Sequence, residues 1–350
     1  MSSAIVSVIN PYHWKLVAAL FFLIFSFLFA LSAGDVDISM TQIFHYLSHC
    51  VSLQDGATSS PMGCEMAPLY QKIIWQIRLP RLFLALLTGI GLSICGLILQ
   101  AITRNPLADP YLFGISSGAS LGAVLVMAFL ASAGLSITLG ALVGGAFSVF
   151  LMLILAGRSM LLVERLVLSG VAVSFMLGAF TSLVLYFSTP EVASSLLFWM
   201  MGSFSNATWQ ALSLPALVIL IGFCIFFIYR HWINALQAGD DTAISLGIPV
   251  DTLRLSMLLV CSAITAVLVA KVGGIGFVGL MIPHICRMLV GSQVNKLLLM
   301  CVLLGAAFML WVDLISRSLL AQQVLPIGIV TSAVGSLFFF IILKTKRLRR

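Results

Sequence analysis

The residues of this chain that could do chemistry are few and far apart. Eleven Asp and Glu and five His are spread over 350 residues. Acid–base catalysis needs a carboxylate or imidazole held beside a second polar group, and a zinc or iron site needs three or four converging ligands. His284 follows Pro283, but no His, Cys, Asp or Glu stands at helical spacing beside it, and His13, His45, His49 and His231 are scattered at boundaries and loops. His284 is expected to serve structure or coupling. The fifteen methionines contain one adjacent pair, Met200-Met201, and read as flexible packing rather than copper ligands. No catalytic residue, metal site or cofactor is expected in this chain.

What remains is a sparse set of spaced charges and one cysteine pair. Arg78 and Arg81 flank Pro80, a residue suited to a helix's first turn, and their spacing puts both guanidinium groups on one face. Asp313 and Arg317 stand four apart and can pair along one helix. Asp240 and Asp241 open a polar stretch, Gly239–Pro249, that starts and stops like a short helix. Cys50 and Cys64 share a polar loop; the other five cysteines fall in apolar runs and read as small packing residues.

The elements that position these residues must be dissolved in lipid. Apolar residues make up 61% of the chain and charged residues only 8%, with a mean hydropathy of +1.17. A water-facing surface needs roughly 25% charge, so this composition cannot build one. Runs such as Leu16–Ser32, Leu82–Leu99, Ala211–Tyr229 and Leu297–Val312 approach or reach the ~20 residues that cross the hydrocarbon as helix. The period-two alternation of a membrane barrel is missing. The expected fold class is therefore an all-α polytopic membrane protein. Ten spans are placed at about 16–34, 80–103, 111–131, 134–156, 163–188, 208–230, 252–271, 276–290, 297–318 and 326–343. Short or Gly/Pro-interrupted spans among them imply broken helices lining a cavity. The first run has no clear small-residue cleavage site before Asp35 and is read as a retained helix rather than a signal peptide.

Charge asymmetry orients the bundle. With the N-terminus inside, only Lys72, Arg78, Arg81, Lys271 and Arg317 of the eighteen Lys and Arg lie outside. Both termini are then cytoplasmic, and the net charge of +7 reflects a basic C-terminal tail that sets topology rather than a nucleic-acid surface. The long segment 35–77 is an outer loop, and 231–251 is a cytoplasmic one. Oxidising conditions outside would allow a Cys50–Cys64 disulfide, with two free thiols as the alternative. The chain reads as one transmembrane domain, 1–350, without a soluble unit large enough to be an enzyme or ATPase. Energy must come from a partner or an ion gradient. Arg78 and Arg81 defy the charge rule by sitting outside, which favours a function over interfacial snorkelling.

Several motifs stand in order: Ile77-Arg78-Leu79-Pro80-Arg81; Arg104-Asn105-Pro106-Leu107-Ala108-Asp109-Pro110 followed by Gly114-Ile115-Ser116-Ser117-Gly118; Gly239-Asp240-Asp241-Thr242-Ala243-Ile244-Ser245-Leu246-Gly247-Ile248-Pro249; Gly273-Gly274-Ile275-Gly276-Phe277 through His284; and Leu325-Pro326-Ile327-Gly328. From about Ile77 to Lys344 the chain resembles the FecCD-type permeases of ABC importers, the family serving ferric siderophores, haem and cobalamin. Tyr186–Thr189 and Phe198–Gly202 resemble its cobalamin branch in particular.

That resemblance implies a ten-helix permease in the bacterial inner membrane. It would pair with a second permease, identical or paralogous, above two cytoplasmic ATPases that bind ATP and Mg, and would receive substrate from a periplasmic binding protein. Arg78, Arg81 and Arg317 match binding-protein docking arginines. Gly239, Asp240, Asp241, Ala243, Leu246, Gly247, Ile248 and Pro249 match the ATPase coupling segment, with Ala243, Leu246 and Ile248 as its apolar contact. Asn105 and Leu107 match the cytoplasmic gate, and Val163 and Glu164 occupy a neighbouring gate position. There the cobalamin permeases carry small hydroxyl residues, so Glu164 is a departure. The outer loop is longer than in the cobalamin branch, and its cysteine pair resembles some siderophore permeases. A molybdate-type oxyanion permease of the same family, an ion-coupled secondary transporter and a non-transporting scaffold are the alternatives. Ion coupling is disfavoured because Asp313 and Arg317 are the only candidate intramembrane charges.

Overall fold

A computed structural model describes residues 11–34, 41, 72–130, 134–157, 163–320 and 323–348. Every regular element among them is helical. In chain order they are α1 (Pro11–Ser32), α2 (Leu79–Ile102), α3 (Ile115–Leu125), α4 (Ile137–Ala156), α5 (Val163–Tyr186), α6 (Pro190–Met200), α7 (Trp209–Ile228), α8 (Arg230–Ala238), α9 (Asp240–Ser245), α10 (Val250–Val272), α11 (Val278–Val290), α12 (Val294–Ser318) and α13 (Ile327–Leu348). A wide turn at Ile73–Arg78 leads into α2, and another at Val126–Leu130 extends α3.

Seven helical stretches are long and apolar enough to cross a membrane, and three shorter ones, Ile115–Leu130, Val278–Val290 and Ile327–Ile342, make up the ten spans expected. The centre is α2: 78% of its most apolar stretch is buried, against 22% for α1 and 28% for α5 and α7. It packs against α12, α11, α10 and α7, while α3, α4 and α5 form a second group joined to it through α10. Lipid supplies no hydrophobic drive between helices, so close approach must come from small residues. A Cβ added at Gly118 or Gly122 of α3 would overlap the carbonyls of Gly144 or Gly140 on α4. The two backbones therefore touch where the sequence places its Gly-rich stripe.

Two short helices were not expected. Pro190–Met200 follows α5, and Arg230–Ala238 buries Ile233 and Leu236 while exposing Trp232, an amphipathic pattern suited to a membrane surface. Between α10 and α11 the chain is non-helical at Gly273–Gly276, with Gly273 at φ 76° and Phe277 at φ 69°. Its polar backbone is satisfied across segments: Ser203 N donates to Val272 O, Gly274 N to Met200 O and Ile275 N to the Tyr111 hydroxyl. Ile327 N and Gly328 N donate to Gly202 O and Met201 O. Three separate motifs thus meet in one non-helical seam, a form that membrane interiors tolerate only when protein covers it.

Candidate functional site

The residues singled out by sequence fall into two groups at opposite ends of α2. At its start, Asp313 of α12 is fully buried between two arginines. Arg81 Nε lies 2.7 Å from Oδ1, and Arg317 Nε lies 3.0 Å from Oδ2. Arg78, itself buried, donates from Nη1 to Leu31 O at 2.7 Å and Ser32 O at 3.1 Å. Arg317 donates to Ala33 O at 3.0 Å and Ala30 O at 3.1 Å. The last carbonyls of a helix have no partners of their own, and cations there also meet the negative end of the dipole. Arg78 and Arg317 therefore cap α1, and Asp313 holds the forks of Arg81 and Arg317. Arg78 and Arg81 are thus engaged by groups of their own chain. The signal for this was the Asp313/Arg317 spacing; that Arg81 joins it had no local signature. Among the described residues, the buried Arg81 Nη2 has no hydrogen-bond partner.

At the other end, α2 stops in a tight turn. Arg104 adopts φ 49°, Asn105 accepts Leu107 N through its side chain at 2.9 Å, and Ala108 N returns to Asn105 O. Leu107 is 58% exposed. Asp109 is buried and accepts Tyr111 N at 2.9 Å, starting the short turn Pro110–Phe113. Burial raises the Asp109 carboxyl to about 6, the Tyr111 N–H only partly opposing it. Glu164, at the start of α5, is exposed, and no hydrogen bond or ion pair among the described residues joins it to this turn. Nothing is described of the Val163 side chain. The structure does bring Leu166, one turn further, to a small pocket beside Arg254 and Asp251.

The segment Gly239–Pro249 lies next to the turn. α9 begins after Gly239 at φ 134° with Asp240 and Asp241 at its positive end, and closes at Gly247, φ 76°. Ile248 N donates to Ala243 O and Gly247 N to Ile244 O, the paired bonds that end a helix on a left-handed residue. Ala243 and Ile248, expected as partner contacts, are buried within the chain at 0% and 7% exposure. The reason is this closing motif, which packs the residue after the stop against the third-last of the helix. The exposed apolar residues are Leu246 and Ile244, at 65% and 60%, and Ile244 was missed. Pro249 precedes α10 as its N-cap. Asp240 is bound by Arg254 and Arg104.

Cys50 and Cys64 lie outside the described residues, as does most of the outer loop. Among the described residues no group of three or more His, Cys, Asp or Glu gathers as metal ligands do, and the His284 ring packs edge-on against Phe338.

The profile of the FecCD transport family matches residues 22–345. The chain belongs to this family. FecCD members are transport permeases, and the ten-span helical bundle is of that kind. A vitamin B12 import system permease protein of Klebsiella pneumoniae is 37% identical over 301 residues, covering 85% of this chain and 90% of its own. A Helicobacter pylori protein described as a probable iron chelatin transport system permease is 39% identical over 268 residues, covering 76% and 81%. Among solved structures, one described as an inward-facing conformation of a metal-chelate type ABC transporter superposes with a TM-score of 0.80 at 31% identity, covering 95% of this chain and 99% of that one. Within the FecCD frame, the two ends of α2 are where the outer and inner motifs of the sequence come together.

Proposed function

We propose that this FecCD permease carries a metal chelate or corrinoid, a ferric siderophore, haem or cobalamin, from periplasm to cytoplasm in the bacterial inner membrane. It works by alternating access, paired with a second permease and driven by two ATPases that bind ATP and Mg. The observation that carries this reading is the likeness, over 85% and 95% of the chain, to a B12 import permease and a metal-chelate type transporter, in sequence and fold together. Exposed Ile244 and Leu246 on a helix too short to be stable alone support an ATPase contact, because a six-residue helix gains stability by packing on something else. The cluster of Arg78, Arg81, Arg317 and Asp313 carries three positive charges against one negative, which suits an acidic surface of a periplasmic binding protein. Asn105 and Leu107 sit where an inner gate would close, and the chain acts as one transmembrane permease unit.

The experiment is reconstitution with its ATPase and binding protein, followed by uptake of radiolabelled cyanocobalamin, a ferric hydroxamate, haemin and molybdate. ATP-dependent accumulation of one of the first three is the expected result. Accumulation of molybdate alone, or uptake abolished by an ionophore but indifferent to ATP, would overturn the substrate class or the energy source.

A further inference from the structure

We propose that Asp240 and Arg254 form a positioning link that makes the inner turn after α2 follow the movements of the cytoplasmic helix α9. Arg254 lies in the second turn of α10 and is 2% exposed. Its Nη2 is shared between both carboxylate oxygens of Asp240, at 3.0 and 3.2 Å, a charge-assisted contact. From the same guanidinium, Nε donates at 3.2 Å to the carbonyl of Ile102, the last residue of α2. One side chain therefore holds the end of α2 and the start of α9 together. A second cation, Arg104 Nη2, stands 3.3 Å from Asp240 Oδ1 and comes from the turn itself.

The mechanics follow from what each part can do. α9 is bounded by Gly239 and Gly247, both at positive φ, so its ends bend where side chains would resist. The helix can shift as a short rigid piece, and Ile244 and Leu246 offer a surface to push on. Arg254 cannot be left behind cheaply, since separating a buried cation from its carboxylate leaves an uncompensated charge. Displacement of α9 should therefore draw Arg254 and Arg104 with it, and with them the Ile102 carbonyl and the turn that carries Asn105 and Leu107. The family likeness places Asp240 in the coupling segment but gives it no partner within the chain; as the first residue of α9 it also suits the helix dipole.

This inference rests on the importer reading, and the test separates the two. Spin labels are placed at Pro106 and Ser245, both exposed and neither assigned to the gate or the ATPase contact, and their separation is measured in the full complex with and without ATP. In the otherwise unaltered chain the separation should stay narrow in both states, because turn and helix move together. Asp240→Asn should broaden it, and uptake per ATP hydrolysed should fall about tenfold, within the range of couplings between sites. The exchange Asp240→Arg with Arg254→Asp should restore part of both. Should Arg254→Asp fail to fold, Asp240→Asn against Asp240→Glu gives the same contrast, since Glu keeps the charge. A wild-type distance distribution together with wild-type uptake per ATP in Asp240→Asn would overturn the link. Loss of all transport in the unaltered complex, with the label response intact, would instead overturn the function reading.

Discussion

Asp313 is fully buried, and its charge is tolerated because Arg81 and Arg317 approach both oxygens. Removing one partner of such a group is worse than never having had it. Asp313→Ala should leave two cations facing a gap at the end of α1 and destabilise the permease by about 3 kcal/mol. The check is thermal unfolding in detergent, where an unchanged transition would mean that the arginines are held by the α1 carbonyls alone. Asp109 gives a pH signature of opposite kind. Its carboxyl ordinarily titrates near 3.8 but is raised to about 6 by burial, so the folded chain holds a proton that the unfolded chain has released. Stability from this group is present below 3.8 and is lost as pH rises through about 6, by a few kcal/mol at most. Asp109→Asn keeps an oxygen to accept Tyr111 N and should flatten the melting temperature between those two values. A parallel slope in mutant and parent would assign the dependence elsewhere.

At the scale of elements, α9 shows how a short helix divides its residues between two duties. Gly247 stops it and folds Ile248 back on Ala243, which commits those two to the interior. Leu246 and Ile244 are left outward. Ile244→Asp with Leu246→Asp should therefore leave the melting temperature within about 0.5 kcal/mol of equivalent change, as surface substitutions do, while weakening ATPase co-purification at least about tenfold. Ala243→Arg should do the reverse, lowering stability first because a long charged side chain has no room at a fully buried position. Undiminished co-purification of the double Asp variant would show that the partner does not rest on this face.

For the whole molecule, the two charge groups at the ends of α2 give the bundle a testable polarity. If the Lys and Arg bias orients it as read, cysteines introduced at Leu107 and Ile244 should react with a membrane-impermeant maleimide only after the cytoplasmic side is opened. Cysteines at Trp75 and Tyr186, also exposed, should react from outside in intact cells whose outer membrane is permeable. Labelling of Leu107 and Tyr186 from the same side would break the ten-span count. The seam of Trp199–Ser203, Val272–Phe277 and Ile327–Gly328 belongs to this scale too, because no one of its segments can satisfy its own backbone.

The sequence alone determined the solvent of this protein, its helical class and the ten spans. Those properties are sums over many residues, and with 8% charge no other assignment of the chain to water or lipid was open. It also located the stop at Gly247, since that follows from local backbone chemistry. It did not reveal α6 or α8, whose short apolar patterns are absorbed by the longer runs beside them. Above all, it left open where the arginines point. Arg78 and Arg81 are 47 and 232 residues from the groups they bind, Leu31 and Asp313. Only the packing of α1 and α12 against α2 decides that these cations cap a helix and bury a carboxylate, because a hydrogen bond is fixed by position in space and the sequence records position only along the chain.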